Sequence, residues 1–147
     1  MAATPLNGLS LEDLLPHRGG MLLVDEVLEV ESSHARTSSS PRPSWPLAEE
    51  SGVHPLILVE LAAQTAGVCN GWDRIQTQGL DSNQMGWLVG IKKAEFFVDS
   101  LPFAQKVVSC ARTTHNFANL REVACELYQE QRLIARVTLQ LFQAEQS

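Results

Sequence analysis

The hydrophobic residues of the chain are concentrated in one long segment, 55–75, with the sequence PLILVELAAQTAGVCNGWDRI. Its first half is apolar around nearly the whole circumference of a helical wheel, and a helix of this kind is buried on all sides. Pro55 suits the first position of a helix, where its missing N–H costs nothing. The segment therefore predicts one buried helix of 21 residues, about 30 Å long.

The other hydrophobic segments are shorter, rich in β-branched residues and partly alternating, which is the pattern of strands. The clearest is the last, where alternate residues between Leu133 and Leu141 are apolar and Arg136, Thr138 and Gln140 lie between them. The short polar turn 129–131 precedes it and predicts a hairpin. The predicted strands are 21–30, 35–39, 85–97, 105–114, 120–128 and 133–142.

Two further segments complete the pattern. Residues 10–15 predict a short helix that Ser10 caps, with Asp13 at the capping-box position and Pro16 ending it. The serine- and proline-rich part of 32–51, beyond the short strand, predicts a long loop. A long loop inside a compact domain is usually functional or mobile.

The order of these elements predicts the fold class. One or two strands come first, then the long apolar helix, then four antiparallel strands. A lone apolar helix needs a sheet wrapped around it to cover its surface. We therefore expect an α+β fold in a single domain, 1–147, with an antiparallel sheet around one central helix.

A polar stripe on the central helix is the first candidate for chemistry. Gln64, Gly67 and Gly71 fall on the same face as Glu60 at about 100° per residue, among aliphatic neighbours. Desolvation there would raise the pKa of Glu60 and suit it to carry a proton near neutral pH. The glycines would let a backbone or a thin ligand come close. Two alternatives remain open, a solvent-facing Glu60 at the helix start and a structural hydrogen bond to a loop.

Histidines are the second candidate. His54 lies just before Pro55, so it could share acid and base roles with Glu60, and backbone N–H groups there could polarise a carbonyl. The alternative is a surface loop histidine. His17 lies in a turn between the first helix and the first strand, where we favour a structural role over a place in a site. His34 and His115 receive no assignment.

Composition narrows the functional class. A formal charge of −6 weighs against nucleic-acid binding, which needs a basic stripe. The three cysteines lack CxxC spacing and predict neither disulfides nor a zinc site. The apolar runs are too short to span a membrane, and the N-terminus does not resemble a signal peptide. These features lead us to expect a cytoplasmic protein, and none of the functions considered below implies a metal or another cofactor.

Three motifs carry a family resemblance. LPHRGGMLLVDEV at 15–27 resembles the N-terminal signature of bacterial 3-hydroxyacyl-acyl-carrier-protein dehydratases. VELAAQ at 59–64 resembles the central-helix motif of this family, and MGWLVGIKKAEF at 85–96 resembles its next strand more loosely. LAAQTAG at 61–67 and GWLVG at 86–90 are closer to the dehydratase-like subfamily of aryl-polyene clusters. The resemblance implies the hot-dog fold.

The resemblance also implies a site. It predicts two sites at the interface of a homodimer, or of a heterodimer with a related hot-dog subunit, each taking a thioester of acyl-carrier protein or coenzyme A. The family's catalytic glutamate corresponds to Glu60. The family's His-Phe-Pro motif is replaced here by Ser44-Trp45-Pro46, so we assign the histidine role to His54. We assign four residues to substrate binding: Gln64, Gly67, Gly90 and Pro55.

The expected activity is therefore dehydration of a 3-hydroxyacyl thioester to the trans-2-enoyl thioester, in fatty-acid or polyene-type lipid synthesis. Two alternatives remain open at this point. One is a catalytically silent subunit that binds acyl groups or pairs with an active dehydratase. The other is an acyl thioesterase, in which Glu60 and Gln64 would activate water without a histidine.

Overall fold

The central helix dominates the fold. The computed structural model describes residues 8–82 and 87–143, and in it α2 spans Ile57–Gln78. The helix begins two residues later than predicted because Pro55 and Leu56 form the turn that leads into it. It ends three residues later, where Gly79 adopts a φ of 94°, which is costly for any residue with a side chain. The predicted helix is thus confirmed, with shifted ends, but it is not buried on all sides, because Val59, Glu60 and Ala63 on one face are only half-buried in this chain.

A six-stranded antiparallel sheet wraps one side of this helix, in the order β1-β2-β6-β7-β8-β4. β3 and β5 form a separate two-stranded sheet. The expected α+β hot-dog architecture is confirmed. The strands are β1 Glu26–Val30, β2 His34–Ser39, β3 Gly52–Val53, β4 Trp87–Phe96, β5 Leu101–Pro102, β6 Val107–Phe117, β7 Leu120–Gln129 and β8 Arg132–Gln143.

The core lies between α2 and the concave face of the sheet. Alternate residues of β8, such as Val137, Leu139 and Leu141, are buried there, as the period of two predicts. Thr65 on α2 bonds the buried hydroxyls of Thr37 and Ser109, at 3.0 and 2.9 Å. These bonds satisfy polar groups beneath the helix, which an apolar contact would leave unpaired.

The short first helix is confirmed, as α1 Leu11–Leu14. Its N-cap Ser10 accepts a hydrogen bond from the Asp13 N–H, and the Asp13 carboxylate accepts one from the Ser10 N–H. The predicted hairpin between β7 and β8 is also present, and its turn residues Glu130 and Gln131 both have positive φ. Its tight turn joins two long neighbouring strands of the sheet.

The predicted first strand is wrong in its first half. Residues 19–21 form a 3-10 turn instead, and β1 begins only at Glu26. The N–H groups of Leu23 and Val24 bond the Gln64 side chain rather than a neighbouring strand. Leu23 and Val24 are therefore held by the central helix, and contact with the sheet starts at Asp25, whose N–H bonds the Ser38 carbonyl of β2 at 3.0 Å.

Two smaller points bear on the predictions. Residues 85–86 of the predicted strand 85–97 lie outside the described residues. Within the part of the chain that the structure describes, no helix is both long and apolar enough to cross a membrane.

Candidate active site

Glu60 lies in the first turns of α2 and meets His17, which comes from the turn after α1. The distance between His17 Nε2 and Glu60 Oε1 is 3.2 Å. The Arg18 guanidinium holds this turn in place by donating to the carbonyls of Leu15, His17 and Glu12, at 2.6, 2.8 and 3.1 Å. The fold thus brings together a carboxylate and an imidazole that lie 43 residues apart in the sequence.

Gln64 lies one helical turn after Glu60 and is fully buried. Its Nε2 donates to Glu60 Oε1 at 3.1 Å and to the Met21 carbonyl at 2.7 Å. Its Oε1 accepts from the N–H groups of Leu23, at 2.9 Å, and Val24, at 3.4 Å. Both amide hydrogens and both lone pairs are used, so Gln64 has no hydrogen-bonding group left for a substrate.

The electrostatics of Glu60 differ from the expectation. The hydrogen bond from His17 lowers the pKa of Glu60 below its ordinary value, and this outweighs the opposing effect of burial. The side chain is also 37% exposed in this chain. The expectation of a desolvated carboxyl with a raised pKa is therefore wrong. His17, from a distant segment of the sequence, donates to the carboxylate, and the carboxylate also remains accessible to solvent.

His54 has a local role at the start of α2. Its ring Nδ1 accepts a hydrogen bond from the Leu56 N–H at 3.1 Å, and the residue is exposed. No hydrogen bond or ion pair joins His54 to Glu60 within residues 8–82 and 87–143. A role for His54 in catalysis therefore stays a prediction that depends on a second subunit.

Backbone N–H groups at this helix start are not free to polarise a carbonyl. The Leu56 N–H is taken by His54 Nδ1, and the N–H groups of Ile57, Leu58 and Val59 bond carbonyls of residues 54–56. The expectation of free donors there is wrong because the entry turn is tight enough to satisfy each of them.

The small residues of the polar stripe serve packing between the two helices. A Cβ on Gly67 would lie 2.7 Å from Leu15 Cδ2. A Cβ on Gly71 would collide with the Leu14 carbonyl. The close approach predicted at these glycines is thus made, in this chain, by the end of α1.

The other assigned residues lie apart from one another. Pro55 is buried in the entry turn of α2. Gly90 lies in the edge strand β4 opposite Gln140. Of the motif that replaces His-Phe-Pro, Trp45 is buried while Ser44 is exposed. Substrate binding by Pro55 and Gly90 stays a prediction.

His17 is the residue that sequence reasoning did not assign to the site. The available signal was its position in the motif 15–27, beside the arginine that pins the turn. Nothing in the sequence shows that this turn folds back onto α2.

Among the described residues, no group of three or more His, Cys, Asp or Glu is placed to hold a metal ion.

Comparison with known proteins agrees with the motifs. The family model described as ApeP-like, ApeP dehydratase, matches residues 9–147. The chain belongs to the ApeP-like dehydratase family. No curated protein matches the chain.

Solved structures of the same fold cover nearly all of the chain. A chain of the dehydratase heterocomplex ApeI:P from Xenorhabdus doucetiae matches with a TM-score of 0.80 and 19% identity, over 94% of this chain and 93% of that one. The HP0420 homologue from Helicobacter felis matches with a TM-score of 0.70 and 18% identity, over 100% and 95%. A hypothetical thioesterase with coenzyme A from Streptococcus pneumoniae matches at 0.59 and 13%, over 82% and 86%. At these identities the ApeP-like chain shares the fold with them.

Proposed function

We propose that this protein dehydrates a 3-hydroxyacyl thioester to the trans-2-enoyl thioester, with Glu60 as the group that moves the proton. The observation that carries the proposal is the Glu60 carboxylate on α2, held by His17 at 3.2 Å and by Gln64 at 3.1 Å. A carboxylate fixed by two donors and still reachable from solvent has the geometry of a general base. Membership of the ApeP-like dehydratase family supports the same reaction.

Dehydration moves one proton, from C2 of the substrate to the hydroxyl group that leaves C3. The carboxylate takes the proton on C2, which the thioester carbonyl makes acidic, and the C2=C3 double bond forms as the bond from C3 to the hydroxyl breaks. Delivery of a proton to the departing hydroxyl completes the loss of water. Because its pKa lies below the ordinary value of 4.5, Glu60 is ionised near neutral pH, and the ionised form is the one that accepts the C2 proton.

A second hot-dog subunit would complete the site. Val89 and Ile91 on β4 pair with Leu141 and Leu139, which are core residues, so they point to the concave side of the sheet. They are nevertheless 50% and 57% exposed, because α2 packs on the other strands of the sheet. Apolar side chains in this position favour a partner that covers them, in a homodimer or a heterodimer. The ApeI:P neighbour is itself a heterocomplex.

His54 would act from that second subunit. Because its Nδ1 accepts the Leu56 N–H, a neutral His54 carries its hydrogen on Nε2. Its Nε2–H is therefore suited to hydrogen-bond the departing hydroxyl of a substrate bound at the partner's Glu60, while Glu60 passes the proton that it took from C2 to that hydroxyl. The acyl group would arrive on acyl-carrier protein or coenzyme A, in fatty-acid or polyene-type lipid synthesis.

One assay tests the reaction. The protein is incubated with 3-hydroxybutyryl-coenzyme A and with a 3-hydroxydecanoyl pantetheine thioester, and enoyl product and free thiol are measured separately. We expect enoyl product, reduced roughly 100- to 10 000-fold by Glu60→Gln. His54→Asn keeps a side-chain acceptor for the Leu56 N–H but removes the imidazole, so a loss of activity there points to a role of the ring in the reaction rather than in folding.

The other outcomes are equally definite. Free thiol that depends on Glu60 would replace the proposal by an acyl thioesterase. Binding of the thioesters without any product, alone and with a related hot-dog subunit, would indicate an acyl-binding protein.

A further inference from the structure

The two carboxylate oxygens of Glu60 have different surroundings. The donors of His17 and Gln64 both meet Oε1, at 3.2 and 3.1 Å. No donor from residues 8–82 or 87–143 reaches Oε2. Oε2 is thus the oxygen with lone pairs free for a substrate proton.

The orientation of the Gln64 amide is imposed by its surroundings. Its Oε1 faces the N–H groups of Leu23 and Val24, so its Nε2 has to face Glu60 and the Met21 carbonyl. A reversed amide would set oxygen against oxygen at Glu60 and at Met21, and nitrogen against two N–H donors. The Gln64 side chain therefore donates to Glu60 in a fixed orientation, and its neutral amide cannot act as a general acid or base.

The His17 ring has one nitrogen on Glu60 and one without a partner. Its Nδ1 is buried and has no hydrogen-bond partner among the described residues. A hydrogen on Nδ1 would be a buried donor left unpaired, whereas a hydrogen on Nε2 is accepted by Glu60. The charged group that contacts the ring is Glu60 on α2. Arg18 is the next residue in the chain, and its Nε lies 3.9 Å from Glu12 Oε2 on α1.

These contacts lead to an inference about roles, which rests on the proposed dehydratase function. We infer that Glu60 reacts through Oε2, while Gln64 and His17, the latter as the neutral tautomer with hydrogen on Nε2, are positioning residues that hold Oε1. His17 then donates a hydrogen bond throughout the reaction and does not carry the substrate proton. The proton donor to the leaving hydroxyl has to be a different group.

The experiment compares two replacements of His17 in the full-length protein. His17→Leu removes the donor, and we expect kcat/KM to fall about 10- to 100-fold, the factor for one lost hydrogen bond to a charged group. The pKa of Glu60, followed by ¹³C NMR of its carboxyl carbon, should rise, and the acid limb of the pH–rate profile should move up with it. His17→Gln can donate but cannot shuttle protons, so it should recover most of both effects.

A matched control and a spectrum complete the test. His34→Gln changes a histidine beside Glu31, 3.4 Å away in the β1–β2 hairpin, and should change neither readout. The ¹⁵N spectrum of the wild-type ring should show one protonated and one unprotonated nitrogen at neutral pH.

Two results would overturn the roles inferred for His17. One is a His17→Gln variant that restores the Glu60 titration but stays as inactive as His17→Leu. The other is a ring protonated on both nitrogens at neutral pH. Failure of the dehydratase proposal would look different, because wild type would form no enoyl product while the NMR titrations would still report on His17 and Glu60.

Discussion

At the scale of single residues, the site depends on hydrogen bonds to one carboxylate. Glu60 would be an ordinary helix-start glutamate without His17 and Gln64, since its side chain is 37% exposed. The donors determine which of its oxygens is free and in which direction its pKa moves. The same contacts make the stability of the protein depend on pH.

The pH dependence follows from the sign of the Glu60 shift. Its pKa in the folded state lies below the ordinary value of 4.5, so the ionised form stabilises the fold. That contribution is present above pH 4.5 and is lost as the pH falls through the folded-state pKa. We expect Glu60→Gln to lower the free energy of unfolding at neutral pH and to have a smaller effect well below pH 4.5.

Urea denaturation of wild type and Glu60→Gln at neutral pH and well below pH 4.5 measures how the loss of unfolding free energy depends on pH. Glu50→Gln, at an exposed loop position, serves as the comparison for a general loss of negative charge. A Glu60→Gln effect of the same size at both pH values would contradict the assigned shift.

At the scale of elements, the packing of α1 against α2 places His17. The end of α1 lies on two glycines of α2, and Arg74 on α2 donates to the Asp13 carbonyl at 2.7 Å. The turn that follows α1 therefore passes next to Glu60, where His17 contacts the carboxylate. The two glycines differ in what opposes them, which makes their substitution informative.

We expect Gly71→Ala to be the more disruptive of the two substitutions. A Cβ there meets the backbone carbonyl of Leu14, which can move only with the whole helix, so a loss of about 1–3 kcal/mol is expected. At Gly67 the Cβ meets only the end of the Leu15 side chain, which can rotate away. The better helix propensity of alanine, about 1 kcal/mol, then offsets much of the strain.

Thermal or urea unfolding of Gly71→Ala and Gly67→Ala measures which of the two substitutions lowers the stability more. The dehydratase assay adds a second readout, since a displaced α1 would carry His17 away from Glu60. A Gly71→Ala variant as stable as the wild type would contradict the close contact between Gly71 and the Leu14 carbonyl.

At the scale of the whole molecule, the edge strand β4 exposes two apolar side chains on the core side of the sheet. Its Val89 and Ile91 continue the apolar face of β8 beyond α2. Lys93, beyond the bulge, pairs with Thr138 on the opposite face. One strand therefore offers a test position and a control position a short distance apart.

We expect Ile91→Glu to prevent association, because it places a charge where a partner would bury an apolar side chain. Lys93→Glu makes a larger change of charge on the outer face and should leave association intact. Light scattering after size-exclusion chromatography, with and without a related hot-dog subunit, measures the assembly. A wild-type chain that stays monomeric in both settings would rule out the proposed shared site.

The sequence by itself determined the elements and their order. The all-round apolar segment, the period of two in β8 and the Ser10–Asp13 capping box are local patterns, and each formed as predicted because its cause lies within one element. The tertiary structure alone decided the site's electrostatics. His17 reaches Glu60 only because α1 packs on Gly71 and Gln64 binds the segment 21–24, contacts between residues distant in the sequence. The first strand was predicted too long for the same reason, since the N–H groups of Leu23 and Val24 bond a side chain on the helix that no periodicity reveals.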